Sequence, residues 1–109
     1  MPFGDVLLAR LPFPDGRGFR VRPVLVMYEH SDADLLVAPI TSHQVRGESD
    51  AVLHDWQAAG LRLPSTVRLE KLGTVSRAII LKEMGRLTPG DRALTLQILR
   101  RFLTKVLDT

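Results

Sequence analysis

Cysteine is absent from all 109 residues. That excludes disulfides and thiolate chemistry and makes a reducing cytoplasm the expected compartment. Long apolar runs are missing too: the longest, Leu35 to Ile40, falls far short of the ~20 residues that cross a bilayer. The opening Met-Pro-Phe-Gly-Asp has no basic n-region and meets an acid at Asp5, so no secretory signal and no membrane partner are expected. Histidine is sparse. His30, His43 and His54 stand at spacings that match no usual metal pair, so neither a metal nor any other cofactor is expected. A Gly-rich phosphate loop with lysine, a nucleophile elbow and a dinucleotide fingerprint are all missing, which removes nucleotide-driven and serine-hydrolase chemistry. Repeats, linkers and low-complexity stretches are also lacking.

What is present is an ordinary globular composition, 45% apolar and 25% charged, of a length that fits one domain over residues 1–109. The formal charge is +3 and the isoelectric point near 10.0. The excess of arginine is clustered: Arg17, Arg20 and Arg22 lie in one loop and strand mouth, and Arg100, Arg101 and Lys105 near the C-terminus. Such patches point to an anionic partner, either nucleic acid or an acidic protein segment.

Strand signals dominate the first 86 residues. Phe3 to Leu11 reads as a strand closed by the breakers Pro12-Phe13-Pro14-Asp15-Gly16. Val21 to Glu29 follows, with Val24 to Met27 apolar on both faces as in a central or barrel strand. Leu35 to Ser42 pairs with it across the polar turn at Ser31 to Asp34. After a loop over 43–50 come a short strand, Ala51 to His54, and one helical turn, Trp56 to Ala59, stopped by Gly60. Thr66 to Leu72 alternates as one half-buried strand. A turn near Gly73 to Arg77 leads to a last strand, Ile79 to Arg86. Thr88-Pro89-Gly90-Asp91 then gives a cap residue, a proline at the first helical position and an acid at the third. The stripe Leu96, Leu99, Leu103 and Val106, widened by Ile98 and Phe102, predicts an amphipathic helix laid over the sheet. The expected fold is mainly β with one C-terminal helix, a small SH3-like antiparallel barrel.

The segment Gly16 to Met27 is where this framework meets chemistry. Pro23 lacks a backbone N–H and holds its predecessor extended, so Arg22 sits at the mouth of a rigid strand. Its planar, permanently charged guanidinium suits a phosphate. On the strand predicted over Thr66 to Leu72, Arg68 and Glu70 share a face about 6.6 to 6.8 Å apart, given the usual rise per residue. That places a carboxylate beside a cation, a pair suited to holding a phosphodiester and moving its proton, or simply a solvated ion pair. Thr41 and Ser42 end the third strand with hydroxyls that can bond a phosphate oxygen or cap a turn. His43 follows them and is a proton carrier near neutral pH or a water-facing loop residue.

Taken in order, several blocks resemble the MazF/PemK family of endoribonuclease toxins from bacterial toxin–antitoxin pairs. They are Gly4-Asp5-Val6 with Leu11-Pro12-Phe13, Arg22-Pro23-Val24-Leu25-Val26, Ala38-Pro39-Ile40-Thr41-Ser42, Asp55-Trp56 with Ala59-Gly60-Leu61, Pro64 to Leu72, and Gly85-Arg86-Leu87. The resemblance implies a homodimer that cleaves single-stranded RNA at short sequences without metal, through attack of the RNA 2′-OH, leaving a 2′,3′-cyclic phosphate and a 5′-OH. It implies catalytic roles for Arg22, Thr41, Arg68 and Glu70, with Arg17, Arg20, Ser42 and His43 binding substrate. On physical grounds Arg22 is a stabiliser of phosphate charge rather than an acid, because it stays protonated. Glu70 is then the expected base, and His43 an outside candidate for the acid. An acidic, partly disordered antitoxin is the implied protein partner. Three departures from the family pattern stand out: glutamate at 70 where the Kid-like branch has aspartate, valine before Arg22, and no loop histidine between Pro12 and Val21. Two other classes fit the same fold, a CcdB-like toxin that traps gyrase by contact and an inactive nucleic-acid-binding barrel. The ending Leu107-Asp108-Thr109 disfavours the gyrase binder, whose relatives end Trp-Gly-Ile.

Overall fold

A computed structural model describes residues 1–43 and 47–109, so the loop expected over 43–50 lies partly outside the described residues. Seven strands and one helix are present: β1 (Asp5–Pro12), β2 (Phe19–Glu29), β3 (Asp34–Thr41), β4 (Asp50–Val52), β5 (Thr66–Arg68), β6 (Gly73–Ser76), β7 (Ile80–Arg86) and α1 (Pro89–Leu107). The sheet runs β4-β5-β3-β2-β1-β7, with β6 paired to β3 beside this path, and every pairing is antiparallel. Among the described residues no ladder joins the end strands β4 and β7. Mainly antiparallel β with one C-terminal helix is thus the architecture.

The two-sided apolar character of β2 has a direct cause. Leu25 enters one core cluster with Val6, Ala38, Ile40, Val67 and Leu69. Val24 and Val26 enter another with Leu7, Ala9, Leu35 and Val37. Alternate residues of a strand point to opposite faces, so a strand covered on both sides must be apolar at each position. The first cluster is closed by α1 through Ile98, with Leu94 and Leu99 packed alongside, and by the loop residues Leu53, Ala59 and Leu61. The second is covered by Val75, Ile79 and Ile80.

Three elements differ from the sequence reading. The second strand begins at Phe19 rather than Val21, because Phe19 to Val21 pair with Pro12 to Arg10, so Arg22 and Pro23 lie inside β2 and not at its mouth. The stretch expected as a turn near Gly73 to Arg77 contains β6, which pairs Val75 with Leu35 and Gly73 with Val37. Four residues with one half-buried side chain carry too short a pattern to be seen as a strand. The strand expected over Thr66 to Leu72 ends at Arg68, and Leu69–Lys71 form a 3₁₀ turn that turns Leu69 into the core.

The helix starts as expected: the Thr88 side chain accepts from the Asp91 N–H, with Pro89 in the first turn. Of the predicted stripe, Ile98 and Leu99 pack on the core, and the rest of the packed face is different. The buried residues are Asp91, Thr95 and Ile98, whereas Leu96, Leu103 and Val106 are 41%, 45% and 53% exposed. The reason is polar: Asp91 accepts the backbone N–H groups of His54 (3.0 Å) and Asp55 (2.8 Å), and Thr95 donates its hydroxyl to the Asp91 carbonyl (2.8 Å). Satisfied in this way, an acid can occupy a core position. No helix among the described residues is long and apolar enough to cross a membrane.

Candidate active site

A groove of about 770 Å³ opens where the start of β2, the end of β3, the loop 60–65, β5 and β7 converge. Backbone register explains why. Val24 pairs with Pro39, and Arg22 and Thr41 each lie two residues further along their strands on that side. Thr41 also pairs with Thr66, two residues before Arg68. Arg22, Thr41 and Arg68 therefore line one groove, joined by Arg20, Ser42 and His43.

Each side chain is held differently. Arg22 is exposed and its Nη1 donates to the Val21 carbonyl (3.1 Å), so the guanidinium lies along its own strand. Arg68 is half-buried and its Nε donates to Asp50 Oδ1 (3.3 Å). The Asp50 side chain is only 3% exposed, and its other oxygen accepts the Gly47 N–H (2.7 Å). Asp50 faces Arg68 directly across the β4–β5 pair, so the cation is held by a buried acid at the border of the groove. The Thr41 Oγ1 accepts the backbone N–H of His43 (3.1 Å), which forms the turn that carries Ser42 and His43. That hydroxyl keeps its own proton for donation to a phosphate oxygen.

Two predicted residues stand elsewhere. Glu70 does not line the groove; it is exposed on the 3₁₀ turn that follows β5. Because the strand stops at Arg68, the two-residue spacing no longer puts Arg68 and Glu70 on one face, and the expected pair is broken. Arg17 occupies the tip of the β1–β2 hairpin, where its N–H donates to Asp15 Oδ1 (2.9 Å) and a backbone bond from Phe13 to Gly18 (3.0 Å) closes the loop. It too lies outside the groove lining.

Conversely, the groove contains charges the sequence did not single out: Arg62, Lys82 and Glu83. Arg62 lies in the connector after Gly60, which no pattern marks. The position of this connector comes from a backbone contact between Gly60 and Gly85. A Cβ on Gly60 would sit 2.1 Å from the Met84 carbonyl oxygen, and one on Gly85 would sit 2.4 Å from the Ala59 carbonyl oxygen. Gly60 also has φ +86°, which favours glycine. Only two glycines allow this wall of the groove to close on β7.

With Arg20, Arg22, Arg62, Arg68 and Lys82 along it, the groove is a positive channel with hydroxyls and an imidazole at one end. Such a channel tracks a nucleic-acid backbone by charge. Comparison with known proteins agrees with the fold. The family described as "PemK-like, MazF-like toxin of type II toxin-antitoxin system" matches residues 3–103. Among solved structures, the chain is similar to the Mycobacterium tuberculosis toxin MazF-mt6, at 20% identity and a TM-score of 0.73 over 89% of this chain and 93% of that one. It is similar to an endoribonuclease from a mycobacterial species, solved with its cognate antitoxin, at 17% identity and a TM-score of 0.75 over 95% of both chains. A MazE–MazF structure from Deinococcus radiodurans gives 14% identity and a TM-score of 0.76 over 95% and 96%. No curated protein matches in sequence.

Proposed function

Because the chain belongs to the PemK-like and MazF-like toxins of type II toxin–antitoxin systems, we propose that it is an endoribonuclease that cleaves single-stranded RNA without a metal and is neutralised by an antitoxin. The observation that carries this reading is the convergence of Arg22, Thr41 and Arg68 on one groove from three different strands. The structures it resembles include a mycobacterial endoribonuclease bound to its antitoxin.

In the proposed reaction the RNA 2′-oxygen attacks the adjacent phosphorus. The P–O5′ bond breaks, leaving a 2′,3′-cyclic phosphate and a 5′-OH. Negative charge on the non-bridging oxygens is met by Arg22 and Arg68, a type of contribution that is about 3 kcal/mol per donor. Arg68 suits the part because Asp50 holds its orientation (3.3 Å) before substrate arrives. Thr41 orients the phosphate, and Arg20, Ser42 and His43 bind the flanking strand, whose unstacked bases are accessible for reading. Arg17, at the hairpin tip, meets the RNA further along.

We further propose a homodimer, supported by the exposed apolar side of α1 at Leu96, Leu103 and Val106, and an acidic antitoxin segment drawn to the same basic channel. The test is to incubate the protein with a long mixed-sequence RNA in EDTA and map new 5′ ends. Discrete ends that vanish in a folded Arg22→Ala variant support the proposal. Intact RNA refutes it, and intact RNA with inhibited gyrase supercoiling replaces it with a gyrase-binding toxin.

A further inference from the structure

Glu70, the base expected from the sequence, does not border the groove, whose lining contains one carboxylate among the described residues, Glu83. It arrives by an irregular route. Strand β7 pairs Val6 with Gly85 but Leu7 with Glu83, which leaves Met84 as an extra residue. It then pairs Leu8 with Lys82 but Ala9 with Ile80, which leaves Leu81 as a second one. The dipeptide Lys82-Glu83 is thus bracketed by two β-bulges on an edge strand. Bulges raise local twist and re-aim side chains. No irregularity falls between Lys82 and Glu83, which pair in turn with Leu8 and Leu7, so their side chains leave opposite sides of the strand, and both residues border the groove where it reaches β7. Glu83 is exposed and takes part in none of the salt bridges among the described residues. By contrast, the acid that steadies Arg68, Asp50, is engaged at both oxygens.

We infer that Glu83, on the β7 border of the groove, is the catalytic base that takes the proton from the attacking 2′-OH, with Lys82, its neighbour in the chain, as a phosphate cation. This rests on the ribonuclease reading above. The step balances: the 2′-oxygen forms its bond to phosphorus as its proton passes to the Glu83 carboxylate, and the 5′-oxygen leaves with the bonding pair and takes a proton from water. Glu83 then returns its proton to solvent, so the net reaction is a transesterification with no proton gained or lost.

Charge makes the inference testable against the alternative that Glu83 is only a negative group beside an anionic substrate. Removing such a group strengthens RNA binding and leaves turnover unchanged or faster. Removing a base slows turnover whatever it does to binding. The experiment compares native protein, Glu83→Gln, Glu83→Asp and Arg22→Ala on one RNA substrate in EDTA, with kcat, KM, the pH profile and thermal unfolding measured for each. Expected are a loss of at least about a hundredfold in kcat for Glu83→Gln, with KM unchanged or lower, loss of the acidic limb of the pH profile, and partial recovery in Glu83→Asp. If Glu83→Gln turns over like the native protein while Arg22→Ala is inactive, the base assignment is wrong and the ribonuclease reading stands. If the native protein itself leaves RNA intact, both fall. Should Glu83→Gln lose its cooperative unfolding, Glu83→Asp decides: native kcat with an unaltered acidic limb overturns the assignment, and a lowered kcat with a displaced limb upholds it.

Discussion

Strands β5 and β7 each border the groove with a cation, Arg68 and Lys82, and each cation is followed closely in sequence by an acid, Glu70 and Glu83. At β5 strand alternation would put the acid beside the cation, yet the chain leaves the strand after Arg68 and winds into a 3₁₀ turn, and Glu70 does not border the groove. At β7 the chain stays in the strand between two bulges, and Glu83 borders the groove. Which carboxylate borders the groove follows from where each strand ends, and residue spacing alone does not record that.

The strongest way to break the comparison is at the β5 cation. Arg68→Ala is expected to lose about a hundredfold in kcat, the scale of one charge-stabilising donor, and also to lower Tm, because among the described residues the buried Asp50 carboxylate then keeps only the Gly47 N–H. Arg22→Ala is expected to lose similar activity with Tm unchanged, since among the described residues its guanidinium hydrogen-bonds only to the Val21 carbonyl. Kinetics and melting curves on the two variants separate these outcomes. Next comes the wall that fixes β7. Gly85→Ala brings a methyl to 2.4 Å from the Ala59 carbonyl oxygen and is expected to destabilise the fold by ~1–3 kcal/mol in urea unfolding. Lys82→Ala is milder, a rise of about threefold in KM with a salt dependence of RNA binding shallower by about 0.7 in log–log slope, as for one lost single-strand phosphate contact. Glu70→Gln sharpens the contrast most cleanly, with kcat expected within about twofold of native, as for an ordinary surface substitution.

The smallest effect lies away from both strands. Glu29 accepts from the Met1 amino group (3.2 Å) and from the Arg77 guanidinium. These hydrogen bonds, the amine's first, hold its carboxyl below the usual glutamate value. A carboxyl lowered in the folded state adds stability that is present above its unfolded value and is lost as pH falls through its folded one. A slight fall in Tm on acidification, absent in Glu29→Gln, is the expected sign.

Much of the framework was legible because it rests on local physics. The apolar run Val24 to Met27 and the cap at Thr88 each fix their element through backbone or burial rules that need no distant partner. Thr41 and Arg68 lie at strand ends, whereas Arg22 and Pro23, expected at a strand mouth, lie inside β2 because the hairpin pairing with β1 runs on to Phe19. The remainder depends on contacts between segments far apart in the chain. Asp91 fills a core position because residues 54 and 55 supply N–H groups to it, 36 and 37 positions away. The buried face of α1 consequently includes an acid and a threonine, which a search for leucines passes over. Glu83 borders the groove only because β7 meets β1 and the segment 60–65 there, and that meeting exists only once distant segments have packed.

The glycine contact between residues 60 and 85 has a consequence for how such a protein changes over time. The gap between the channel's two sides there is set by peptide groups touching peptide groups, so its width does not depend on which side chains the 61–65 segment displays. Side chains such as Arg62 and Leu63 can therefore be exchanged without moving the backbone wall that rests on β7.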